Sequence, residues 1–273
     1  MSPRHSKLIW LCLSGLVVLV VIILAVVAPL LAPHDPLEIN HREVLKASTS
    51  TNPLGTDEFG RDILSRLLYG ARPSLTVAGL ATALALLLGS TFGVIAGFFG
   101  GWIEQVIMRL VDTLLCFPPI LLAMVIVGFL GGGVTNLVIV IGILYSTSFA
   151  RLAYSASLQV KEMEYMTAAR AIGASSARLI AFYVYPNIRS VLIIQVSLTV
   201  AATILLESGL SFLGLGVIPP TASWGLMIGA ARSYMYQAPT YVLWPSLTIA
   251  VTVLAVNTFG DALRDILDPR LKQ

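Results

Sequence analysis

The chain reads as an all-α integral membrane protein with about six transmembrane helices, and three observations predict this. Only 11% of its 273 residues are charged and 57% are hydrophobic, whereas soluble domains carry about 25% charged residues. The apolar residues come in long continuous blocks, and mean hydropathy is +0.88. In lipid each backbone must satisfy its own polar groups, so continuous blocks mean helices; a barrel would show alternation. Finally, with the N-terminus placed inside, 11 of the 17 basic residues fall on the inner side, both chain ends included, against 6 outside, a positive-inside bias that supports both termini in the cytoplasm.

The first block, Leu8 to Leu31, contains no charge and makes a helix of about 36 Å, enough to span. Arg4 and Lys7 precede it. It is too long for the roughly 7–15-residue core of a signal peptide, so a retained anchor is expected.

A polar segment, 32–73, follows and opens with Pro33, His34, Asp35 and Pro36. Toward its end Phe59, Ile63, Leu64, Leu67 and Leu68 recur at helical spacing, with Arg61, Asp62 and Arg66 between them. This predicts an amphipathic helix, lying along the membrane interface or packed on a neighbour.

Five more blocks complete the count: Leu75 to Phe99, Phe117 to Leu130, Leu137 to Ala150, Ile188 to Leu206 and Val242 to Phe259. The shorter ones are expected to extend into flanking polar residues. Residues 1–73 are expected to form an anchor plus outer loop, and 74–273 a five-helix core. Gly89, Gly93 and Gly97 line one face of the second helix, and such small-residue faces let helices approach closely in lipid. In the outer loop 214–241 and just beyond it, Trp224, Tyr234, Tyr236, Tyr241 and Trp244 suit the membrane interface.

The longest inner segment, 151–187, carries the most information. Glu164 to Ile172 are nearly all good helix formers, and Gly173 suits a helix C-terminus. Ser175 or Ser176 can cap a following helix, which returns toward the membrane and ends at Pro186. Ala168 and Ala169 give the short helix a smooth face, the kind that seats in a groove on another protein.

Catalytic chemistry finds no support. A phosphate-binding loop needs Gly-Lys-Ser/Thr, but Lys7, Lys46, Lys161 and Lys272 follow Ser6, Leu45, Val160 and Leu271. The stretch Gly131-Gly132-Gly133 joins two membrane helices and reads as a turn. His5, His34 and His41 have no metal-ligand spacing, and Cys12 and Cys116 form no CxxC pair. No metal site, cofactor or catalytic group is assigned. The net charge of +3 gives no basis for nucleic-acid binding. Glu207 is the exception within an apolar block. A carboxylate at that depth is costly, so it either lines or gates a path or orders the turn that follows it.

The inner segment resembles the "EAA" coupling loop of binding-protein-dependent ABC importer permeases. The match is Glu164, Ala168, Ala169, Gly173 and Pro186, with Arg170 inside it. More narrowly, the chain resembles the C-type permease subunits of dipeptide, oligopeptide and nickel importers. Leu54 to Arg66, Arg109 to Ala123, Glu207 to Gly225 and Asn257 to Arg270 extend the likeness over nearly the whole length. One departure is Tyr183-Val-Tyr185-Pro186-Asn187, where the family usually has His-x-Leu-Pro-Asn. The resemblance implies a type I ABC importer permease fold in a bacterial or archaeal cytoplasmic membrane. It also implies a second permease subunit, two cytoplasmic ATPase subunits docked on the coupling helices, and an extracytoplasmic binding protein. Cargo is expected to be peptides, with nickel or a metal chelate as the alternative. A stand-alone secondary transporter is the other class, but no internal repeat or mid-bilayer charge pair supports it.

Overall fold

A computed structural model describes residues 3–267, with side chains from 9 to 266. Arg4, Lys7 and Lys272, and Asp268 to Arg270 at the end of the last motif, lie outside the side chains described. Among the described residues there is no strand, only an isolated bridge between Thr56 and Asp62.

The helices are α1 (Pro3–Val26), α2 (Ala28–Leu31), α3 (Ile63–Phe99), α4 (Gly101–Leu115), α5 (Pro119–Leu130) and α6 (Val134–Lys161). They continue as α7 (Glu164–Ala171), α8 (Ser176–Leu179), a π-helical turn (Ile180–Val184), α9 (Tyr185–Phe212), α10 (Trp224–Ala231) and α11 (Pro239–Leu267). Five stretches are long and apolar enough to cross a membrane, and α4 with α5 makes a sixth if the bent pair counts as one crossing.

Three expectations are revised. The amphipathic stretch is no separate helix: Ile63 to Leu68 form the first turns of α3, which runs unbroken through Pro73. Its start is set by Asp62, whose Oδ2 accepts the Ser65 N–H at 2.7 Å and so fills one of the empty donor positions of the first turn. The point 73/74 therefore falls inside a helix.

The third apolar block forms no straight span. At about 18 Å, α5 is shorter than the roughly 30 Å hydrocarbon layer, and α4 meets it at 92°. Pro118 and Pro119 explain the bend, since a residue before proline avoids the helical region. Side chains of α6 hold α4 in place: Tyr154 donates to Glu104, and Arg151 pairs with Asp112 at 2.5 Å.

The outer loop folds inward. Trp224 and Tyr241 do not present their rings to the surroundings; both are buried. The indole Nε1–H of Trp224 donates to the Leu67 carbonyl at 3.1 Å, and the Tyr241 hydroxyl donates to Glu58 at 2.6 Å. Each amphipathic ring thus meets its polar requirement inside the protein. Tyr236, by contrast, is almost fully exposed.

The centre of the bundle is the α3–α6 pair. A Cβ at Gly89 would collide with the Ser146 carbonyl and Ala150 N, one at Gly93 with the Ala150 carbonyl, and one at Gly97 with Ser157. The glycine stripe of α3 is the surface on which α6 lies backbone to backbone. Below it, on the cytoplasmic side of the predicted topology, Val94, Phe98, Phe149, Ala153, Val160, Met166, Ala169, Leu179, Val184 and Ile188 form one buried cluster. That cluster is the seat of α7.

Candidate functional site

Helix α7 is built from both ends. Met163 is extended at its N-terminus, and the chain turns there after α6. At the C-terminus Gly173 has φ +85°, a conformation costing L side chains roughly 1–2 kcal/mol. With that turn made, Gly173 N–H donates to the Arg170 carbonyl at 3.0 Å and Ala174 N–H to the Ala169 carbonyl at 3.1 Å. These are the paired bonds of a Schellman motif. Ser175 then caps α8, its hydroxyl accepting from Arg178 N–H at 3.4 Å.

Burial divides the expected smooth face. Ala169 is buried with Met166 against the bundle, while Ala168, about 100° round the helix, is exposed. Glu164 is also exposed, and the Arg170 guanidinium lies 5.6 Å from the Phe98 ring centroid. The inward residues fix α7 on the bundle, and the outward ones form a surface. Sequence reading missed part of that surface: Met163, Tyr165 and Ile172 are exposed, Ile172 to 85%. Three apolar side chains on one short polar segment were the available signal, since an exposed apolar patch marks an interaction site.

The return to the membrane is more continuous than expected. Residues 176–212 pass as one apolar stretch, and Pro186 lies inside it rather than at its edge. Proline has no N–H to give the preceding turn. The π turn ends just before it, with Tyr185 N–H bonding back to the Ile180 carbonyl. Asn187 donates to the Tyr183 carbonyl at 2.6 Å. The Tyr165 and Tyr183 rings stack, joining α7 to this turn.

Glu207 lies far from α7, near the other end of α9. Its carboxylate is fully enclosed. Ser211 Oγ donates to it at 2.7 Å and Ser208 Oγ at 3.4 Å. Ser223 is the N-cap of α10, accepting from Leu226 N–H at 3.3 Å. Next to it, Gly225 rests against the Ser208 backbone. The carboxylate is thus held by hydroxyls of its own helix, beside the contact of α9 with α10.

Comparison with known proteins gives the family and the fold. The family model for binding-protein-dependent transport system inner membrane components matches residues 89–273. The dipeptide transport system permease protein DppC of Alkalihalophilus pseudofirmus is 40% identical over 263 residues, covering 96% of this chain and 86% of that protein. The di/tripeptide permease DppC of Pseudomonas aeruginosa is 42% identical over 267 residues, 95% and 88% of the two chains. The glutathione permease GsiD of Pectobacterium atrosepticum is 39% identical over 260 residues, 95% and 86%. Among solved structures, an inward-facing form of the MetNI methionine ABC transporter superposes with a TM-score of 0.63 at 15% identity, over 76% of this chain and 98% of that one. That likeness concerns the fold.

Proposed function

The chain belongs to the binding-protein-dependent transport system inner membrane components, and from that premise we propose that it is one of two permease subunits of an ATP-driven importer of di- and oligopeptides. The peptide assignment follows the names of its relatives. It has no phosphate-binding loop, so ATP hydrolysis belongs to separate subunits.

One observation carries this reading: α7 is a short helix anchored on the bundle by Met166 and Ala169, with an outward face of Ala168, Tyr165 and Ile172. We place that face in the cytoplasm, together with both termini. Two ATPase subunits grip it and its counterpart on a second, different permease subunit. The extracytoplasmic binding protein meets the opposite end, where α3 begins and α10 folds back. In this arrangement Glu164, Ala168, Ala169, Arg170, Gly173 and Pro186 form or shape the coupling element. Glu207 orders the outer end.

Reconstitution tests the reading. Proteoliposomes holding this chain, the second permease and the ATPases, supplied with the binding protein, are expected to accumulate a radiolabelled dipeptide only when ATP is hydrolysed. Gradient-driven uptake by the chain alone would overturn the permease assignment. ATP-driven uptake of nickel but not of dipeptide would overturn the cargo.

A further inference from the structure

Pro29 leaves the Ala25 carbonyl at the end of α1 without its usual donor four residues on, and Leu30 N–H turns to the Val27 carbonyl at 2.9 Å instead of to Val26. Arg72 of α3 fills both gaps. Its Nε–H donates to the Ala25 carbonyl at 2.8 Å and its Nη2 to the Val26 carbonyl at 2.9 Å, and its guanidinium lies 5.3 Å from the Tyr69 ring centroid. These contacts fix the cation but occupy only two of its five N–H bonds. Both acceptors are neutral, and among the described residues no carboxylate lies within 4 Å of it. Arg72 is therefore a held guanidinium with its charge unanswered. On the topology proposed above, it stands at the outer end of the membrane span.

Toward the inside, the groove between α1 and α3 is apolar. A cavity of about 490 Å³ bounded by Ile22, Val26, Leu75 and Arg72 shares Ile22 and Leu75 with a deeper one of about 400 Å³, where α9 and α11 close the wall. Along α9 that wall runs from Ile193 to Ile204, a rise of about 16 Å. This is roughly the depth of one leaflet of a 30 Å hydrocarbon layer. Gly79 opens the side of the groove, since nothing lies within 4 Å of a Cβ built there. Toward the outside, Arg72 also borders a polar recess with His34, Asp35 and Thr221, in which Asp35 accepts the Leu37 N–H. The cation thus marks the junction between an apolar groove and a polar mouth.

We propose that this groove holds a phospholipid, with an acyl chain between α1 and α3 and the phosphate on the open N–H bonds of Arg72. Guanidinium and phosphate form short charge-assisted hydrogen bonds. Lipid tails are as apolar as the groove, so the phosphate supplies the selectivity. A helix of the second permease subunit fits less well. One helical turn alone occupies about 500 Å³, more than the deeper cavity holds, and a helix brings no anion to Arg72. The site requires only that α1 and α3 cross a membrane. Binding is read without transport, so its failure leaves the import reading standing.

The test uses the transporter assembled with its second permease and ATPase subunits, stripped of lipid in detergent. Native mass spectrometry compares dioleoylphosphatidylglycerol with dioleoylglycerol, which has the same chains and no phosphate. The phospholipid is expected to bind, and dioleoylglycerol about tenfold more weakly. Arg72→Gln is expected to bring the phospholipid down to the level of dioleoylglycerol. Gly79→Leu fills the groove, leaves the Arg72 bonds to α1 in place, and is expected to weaken phospholipid binding about tenfold; it decides the matter if Arg72→Gln does not fold. In proteoliposomes, a photo-crosslinking p-benzoylphenylalanine in place of the exposed Thr76 is expected to capture phospholipid. Capture of the second permease subunit instead, equal binding of the two lipids, or phospholipid binding unchanged by Gly79→Leu overturns the proposal.

Discussion

Tyr165 of α7 and Tyr183 of the π turn stack with ring centroids 6.2 Å apart and planes inclined by 19°. This is a side-chain link between α7 and the root of α9. Offset aromatic pairs contribute about 0.5–1.5 kcal/mol beyond area burial. Tyr183→Ala is therefore expected to leave the subunits assembled but to raise the ATP hydrolysed per peptide imported. Simultaneous measurement of ATPase activity and uptake checks this. An unchanged ratio would mean that the stack carries no coupling.

The two alanines of the motif should behave differently. Ala169→Glu places a carboxylate in the cluster of Phe98, Leu179 and Val184, and burying an unpaired charge costs several kcal/mol. It is expected to lower both thermal stability and ATPase co-purification. Ala168→Glu, on the exposed side, is expected to leave the unfolding midpoint within experimental error and to reduce only co-purification. Equal effects from the two would contradict the division of faces.

Gly173 tests the helix end. Nothing lies within 4 Å of a Cβ built there, so Gly173→Ala meets only backbone strain of roughly 1–2 kcal/mol. Partial uptake is expected. Gly173→Pro removes the N–H given to Arg170 and forbids positive φ, and uptake should be abolished while insertion into the membrane continues.

The glycine stripe predicts a contrast within one helix. Gly93→Val drives a branched side chain into the Ala150 backbone and is expected to prevent a stable fold, seen as loss of detergent-soluble monodisperse protein. Gly79, with nothing within 4 Å of its would-be Cβ, should accept alanine, with a gain of about 0.5–1 kcal/mol. Destabilisation by Gly79→Ala would show that packing against a partner uses that face.

Glu207 distinguishes structure from path. Glu207→Gln retains an acceptor for Ser211 and is expected to keep most uptake. Glu207→Ala leaves the serine hydroxyls unanswered, costs about 1–3 kcal/mol, and should increase protease cleavage near α10. Loss of uptake in Glu207→Gln with unchanged protease resistance would instead assign the carboxylate to the path.

Much of this architecture was legible because apolar block length and glycine spacing are local signals with direct physical meaning. The Gly89, Gly93 and Gly97 stripe and the Gly173 helix end could be read without any tertiary information. What escaped depends on contacts distant in sequence. Trp224 and Tyr241 look like interfacial aromatics until Leu67 and Glu58 arrive to satisfy them. The continuity of α3 through Pro73 is set by its packing in the bundle, which local composition does not record. Ala168 and Ala169 are adjacent and identical, and only the position of the Phe98 cluster decides which one faces inward.

In the proposed assembly α7 offers its outer face to a separate motor protein in the cytoplasm. In a background lacking Cys12 and Cys116, Ile172→Cys should react with a membrane-impermeant maleimide in inside-out vesicles stripped of ATPase subunits. Restoring those subunits should protect it, and intact cells should leave it unlabelled. Labelling from the outside of intact cells, or reactivity unaffected by the ATPases, would contradict the account.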